Sequence, residues 1–153
     1  MEARLLQCIR SEPESSYKRG ATERQIGAAQ RRLGVRFRPS YQQFLRQFNG
    51  GEFRFARMYR LSAGGAGFFD LFEQMAHASK YFAPFREHEL LLFGDDYSGN
   101  YYCFDLTKAG QQGECPVVYW DRLLSAEQEP EPEAASFRTF LLQKMREIRD
   151  RDE

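Results

Sequence analysis

Apolar positions along this chain change their spacing several times, and each change marks an element. Leu5, Leu6 and Ile9 recur at helical spacing and predict a short amphipathic helix over residues 3–10. Residues 11–20 are polar and contain Pro13, which predicts a loop. The next helix is better marked. Thr22, with Gln25 three positions on, forms a capping-box pattern; Ile26, Ala29 and Leu33 line one face, and Gly34 stands where a left-handed residue can end the helix. Val35–Arg38 then runs extended into Pro39. A second helix opens at Pro39-Ser40, with Tyr41, Phe44, Leu45 and Phe48 at i, i+3, i+4 and i+7. An aromatic stripe at that spacing reads as core. Asn49-Gly50-Gly51 is expected to stop this helix and turn the chain into a strand.

Residues 52–61 alternate, Phe53 and Phe55 against arginines, and predict two short strands or one bent one. Residues 62–67 are small and predict a loop. Leu71, Met75, Ala78 and Phe82 return to helical spacing, closed by Pro84. Leu90–Gly94 is a continuous apolar run bounded by glycine, the pattern of a buried strand. Asp95–Asn100 is a strong turn, and Tyr101–Leu106 is the returning strand. A polar loop over 107–114 precedes a third strand that starts at Pro116 and runs to Asp121. Glu127–Glu133 is acidic and broken by prolines, either a loop or disordered. Phe137, Phe140, Leu141 and Met145 mark a final helix. This order predicts an α+β fold, an antiparallel sheet of about four to six strands packed with helices, in one domain over residues 1–153 with its core in about 20–145.

The ordered motifs resemble the SUKH superfamily, the Smi/Knr-like domain shared by fungal cell-wall regulators and many bacterial toxin-immunity proteins. Leu33-Gly34, Pro39, Tyr41, Phe44-Leu45 and Asn49-Gly50-Gly51 match the first half of that pattern. Leu92-Phe93-Gly94, Gly99, Phe104-Asp105 and Pro116-Val117-Val118 match the second half, and the helix from Phe137 to Met145 fits its end. Three positions depart. Gln30 stands where Glu is common, Arg38 where Leu usually precedes the proline, and Asn100 where Asp usually follows the glycine. The last change keeps the shape of the turn and removes one charge. The resemblance implies a SUKH-like fold and a non-enzymatic protein-binding role, commonly toxin neutralisation. A regulatory or scaffold module that binds a cellular protein is the alternative.

Composition narrows the classes. A chain of 153 residues with 42% hydrophobic content can bury a core without a metal or disulfide staple. No apolar run approaches the ~20 residues of a membrane helix. The first residues lack a basic start and a long apolar stretch, so a cytoplasmic location is expected. Cys8, Cys103 and Cys115 show no C-x-x-C spacing, and Cys103 sits in a strand pattern as a small buried hydrophobe. Net charge is zero, but residues 1–60 carry 13 Lys or Arg against 5 Asp or Glu, and the remainder reverses that bias. The two halves either cancel on the folded surface or leave an acidic face for a basic partner.

Catalytic chemistry finds little support. Gly64-Gly65-Ala66-Gly67 lacks the Lys-Ser/Thr of a phosphate loop, His77 and His88 have no clustered Cys, and Tyr97-Ser98-Gly99 is not a nucleophile elbow. Asp95 and Asp96 are read as turn formers rather than an acid–base pair. No catalytic, metal or cofactor residue is assigned. A neutral chain of pI ≈ 6.8 argues against nucleic acid as the main partner. The expected partner is a protein, a toxin domain with a basic surface, and neither a nucleic acid nor a membrane. Groups that suit it are Asp95, Asp96, Tyr97, Asn100 and Tyr101 in and beside the turn, with Asp121, Glu129 and Glu131 further on. Tyr119 and Trp120 are strand neighbours, so one faces the core and the other turns away.

Overall fold

The computed structural model describes residues 3–61 and 69–153; the loop expected over 62–67, with its glycines, lies outside them. The elements are α1 (Ala3–Arg10), β1 (Ser16–Arg19), α2 (Glu23–Leu33), α3 (Pro39–Gln47), β2 (Phe48–Glu52), β3 (Arg57–Met58), α4 (Leu71–Tyr81), α5 (Ala83–Arg86), β4 (Leu90–Asp95), β5 (Tyr101–Asp105), β6 (Val117–Trp120), β7 (Glu131–Ala134) and α6 (Phe137–Asp152). The fold is α+β. Its sheet has seven antiparallel strands in the order β1 to β7, so each strand pairs with its neighbours in sequence.

Local signals set the helix ends as the pattern required. Thr22 Oγ1 accepts from Gln25 N at 3.1 Å and Gln25 Oε1 accepts from Thr22 N at 2.8 Å, a complete capping box. Gly34 closes α2 at φ 67°.

Seven strands are one more than the largest number predicted, and two of them lie where no strand was expected. β1 lies in the segment read as a loop, where Ser16 and Tyr17 pair with Glu52 and Gly51. β7 lies in the acidic segment read as loop or disorder; Pro132 and Glu131 pair with Val118 and Tyr119. Both are edge strands, where short length, charge and proline are tolerated because one side of the ladder faces no partner strand.

The Asn-Gly-Gly signal also works differently from the expectation. The helix ends one residue early at Gln47, Phe48 is already extended at φ −137°, and all three motif residues belong to β2. Gly50 lies at φ 77°, and a Cβ there would sit 2.8 Å from the Arg60 amide nitrogen. The Asn49 side chain exchanges two hydrogen bonds with the Leu61 backbone, at 3.0 and 2.8 Å. The motif therefore clamps two chain segments together. Of residues 52–61, only Arg57 and Met58 form a strand between β2 and β4; Phe53 and Ala56 close a turn by reciprocal backbone hydrogen bonds of 3.0 and 3.3 Å.

The core explains why Leu90–Phe93 does not alternate. Every residue of β4 and β5 is buried. Tyr41 of α3 and Phe137 of α6 both pack against Phe93 and Phe104 with tilted or edge-on rings. Phe85 of α5 packs on Tyr101 and Trp120 instead, with ring centroids 5.8 and 5.5 Å apart. Covered on both faces, these strands have no wet side to mark with polar residues. Phe44, Leu45, Phe48, Leu92, Phe104, Cys103 and Val118 are all buried in this core. Trp120 is buried while Tyr119 is half-buried, as their adjacency required.

Candidate protein-binding surface

Sequential antiparallel strands place alternate connections at the same end of the sheet. The β2–β3, β4–β5 and β6–β7 connections therefore share one end, and the helical connections occupy the other. Side chains bond the three connections together.

Asp96 organises the β4–β5 turn. Its Oδ1 accepts from Ser98 N at 2.9 Å and Asn100 N at 3.1 Å, and its Oδ2 accepts from the Tyr119 hydroxyl on β6. Partial burial pushes its pKa up, but the hydrogen bonds from Tyr119, Ser98 and Asn100 outweigh that, and the carboxyl is held below its ordinary value. Tyr119 is pushed up to about 12, by burial first and then by this carboxylate.

Asn100 links the turn to the β6–β7 connection. Its Nδ2 donates to the Tyr119 hydroxyl at 2.8 Å, and its Oδ1 accepts from Arg122 N at 3.1 Å. An aspartate could accept from Arg122 but could not donate to Tyr119. Asparagine at this position thus has a chemical reason. Gly99, at φ 92°, leaves the space that the Arg122 guanidinium fills.

Tyr97 links the turn to the β2–β3 connection. Its backbone is left-handed at φ 68° and its amide donates to Asp95 Oδ1 at 2.8 Å. Its hydroxyl donates to Phe53 O at 2.6 Å while the residue stays 44% exposed, with the Arg57 guanidinium 5.0 Å from the ring centroid. Burial, followed by the Glu52 charge, pushes its pKa up to about 12.

Across the turn, Asp121 Oδ1 accepts from Leu123 N at 2.9 Å, and Gln128 closes the loop by donating Nε2 to Asp121 O at 2.8 Å.

A family model described as the SMI1 / KNR4 family (SUKH-1) matches residues 20–143. The chain belongs to that family. The match contains every strand but β1 and the whole bonded end just described. A crystal structure of a protein from Pseudomonas syringae pv. tomato superposes on this SUKH-1 chain with a TM-score of 0.62 at 18% identity, over 84% of this chain and 89% of that one. At that identity the likeness shows the fold. No curated protein matches the sequence.

In this SUKH-1 domain the predicted contact residues separate into groups. Asp96, Tyr97 and Asn100 lie in the β4–β5 turn, and Asp121 lies in the β6–β7 connection that Asn100 bonds through the Arg122 amide. Glu129 is exposed just before edge strand β7, and Glu131 is exposed at its first position. Asp95 and Tyr101 are only 5% and 2% exposed, and their side chains do not reach the surface. Asp95 Oδ2 accepts from the buried Tyr59 hydroxyl at 2.7 Å, with Arg57 Nη1 at 3.8 Å, so that carboxylate braces β3 against β4. Tyr101 packs on Phe85. The sequence pattern passed over Arg122, Leu123 and Leu124, which stand exposed on the same end. Their available signal was two leucines between Asp121 and Ser125 that fit neither helical nor strand spacing.

Among the described residues no cluster of His, Cys, Asp and Glu could hold a metal ion. None of the described helices is long and apolar enough to cross a membrane.

Proposed function

We propose that this SUKH-1 domain is a non-enzymatic binding protein, an immunity protein that neutralises a bacterial toxin by direct contact through the loop end of its sheet. The observation that carries the reading is the charge of that end. Apart from the buried Asp95, residues 95–100 and 121–131 hold five carboxylates and a single cation, Arg122, in a chain of zero net charge. Nearby Arg54 is engaged by Asp152 at 2.9 Å and Glu12 at 3.2 Å, and Arg57 lies by Asp95, so neither offsets the field freely. A toxin that acts on nucleic acid presents a basic cleft. An acidic face speeds encounter with such a cleft and blocks it once docked. The hydrogen-bonded turns hold their shape before binding, which lowers the ordering cost of association.

The test is co-expression with the toxin encoded beside the gene of this chain. Restored growth and an isolable complex support immunity. Full toxicity, with capture of a cellular protein through the same end, supports the regulatory alternative. Purified protein is expected to show no hydrolytic or transfer turnover in a broad substrate screen.

A further inference from the structure

Four large apolar or aromatic side chains are exposed among the described residues: Tyr81, Tyr97, Leu123 and Leu124. Three of these stand on the loop end. Leu123 is 91% exposed and Leu124 58%. Isolated exposed leucines are ordinary, but two consecutive ones in a tightly bonded loop are not explained by folding. The loop backbone is held at each step. Arg122 N donates to Asn100 Oδ1 at 3.1 Å, Leu123 N to Asp121 Oδ1 at 2.9 Å, and Leu124 N to Asp121 O at 3.2 Å. Gln128 Nε2 donates to both Asp121 O and Ser125 O, at 2.8 and 3.0 Å. These bonds fix the loop with Leu123 almost wholly and Leu124 mostly in water.

We propose that Leu123 and Leu124 are the apolar anchor of the binding surface, and that the occupant is a protein with an apolar socket rimmed by Lys and Arg. This rests on the binding role argued above and names the partner's chemistry. The arrangement is that of an interface centre: a desolvated apolar contact supplies the slow dissociation, and surrounding charge supplies orientation and rate. Charge selects the occupant. A second copy docking by the same end would bring two sets of five accessible carboxylates together. An anionic lipid surface would be repelled by the same charge.

The experiment pans a phage-displayed library of random peptides on the intact chain at low salt, then measures the enriched peptides against Leu123→Ser, Leu124→Ser and the double variant. Enriched peptides are expected to pair Lys or Arg with aliphatic or aromatic residues. Each single variant is expected to weaken them roughly tenfold, the effect of one lost buried leucine. Thermal unfolding of the variants should stay close to wild type, because both side chains are mostly exposed. The inference is overturned if panning enriches nothing, if the enriched peptides lack basic residues, or if the double variant binds them as tightly as wild type. Self-association of wild type that the double variant loses would reassign the leucines to a second copy, and binding to anionic vesicles would reassign them to lipid. The panning needs no toxin. Rescue by wild type with unaltered peptide binding to the double variant would therefore remove the anchor and keep immunity, and the opposite pair of results would do the reverse.

Discussion

Removing one hydroxyl, by Tyr119→Phe, tests how the loop end is held. That hydroxyl donates to Asp96 and accepts from Asn100 Nδ2, so its loss weakens both groups that bond the β4–β5 turn to β6. A hydrogen bond to a charged group contributes roughly 1.5–3 kcal/mol. Tyr119 and Asp96 are half-buried, so water takes over part of the lost bonding and the lower figure, about 1.5 kcal/mol, applies. In a domain of this length that lowers Tm by about 3–6 °C. The effect carries a pH signature. Folding holds the Asp96 carboxyl below its ordinary 3.8. Stability from the ionised group is therefore complete above that unfolded value and is lost as pH falls through the lower folded one. The Tyr119→Phe penalty should be full at pH 7 and shrink as pH drops below the ordinary carboxylate range. Urea unfolding of wild type, Tyr119→Phe, Asp96→Asn and the double variant closes a cycle that isolates the pair. A coupling under ~0.5 kcal/mol at pH 7, or a penalty that does not change with pH, would refute the reasoning.

Other perturbations separate core, backbone and surface. Phe44→Ala, whose ring meets Phe48, Phe53 and Phe137 in the core, should lose about 3–5 kcal/mol in the same urea assay, and a loss under ~1 kcal/mol would contradict that packing. Gly50→Ala should lose about 2 kcal/mol or more, because φ is 77° and the new methyl meets the Arg60 backbone; unchanged stability would mean that the strand can relax there. Glu127→Lys with Glu129→Lys changes two exposed carboxylates. It should leave Tm within about 2 °C and slow association with the cognate toxin at low salt, with the difference fading at ~0.5 M salt. An unchanged association rate at low salt would place the interface elsewhere.

Where a signal was local, the sequence alone determined the outcome. The α2 capping box, its Gly34 stop and the aromatic stripe of α3 involve residues within a turn or two of each other, so hydrogen bonds and periodicity within the segment decide them. The family motifs were legible for the same reason, since their order survives without knowledge of what each residue touches. Tertiary structure decided the rest. β1 and β7 are strands because a neighbouring strand pairs with them, although their own composition favours a loop. Asp95 and Asp96 look equivalent in the chain. One is buried because β3 and the residue after it bring Arg57 and Tyr59 beside it, while the other stays half-exposed because it caps the turn. Leu123 and Leu124 fit no helical or strand period, and that they stand exposed was decided by which surfaces fold against each other.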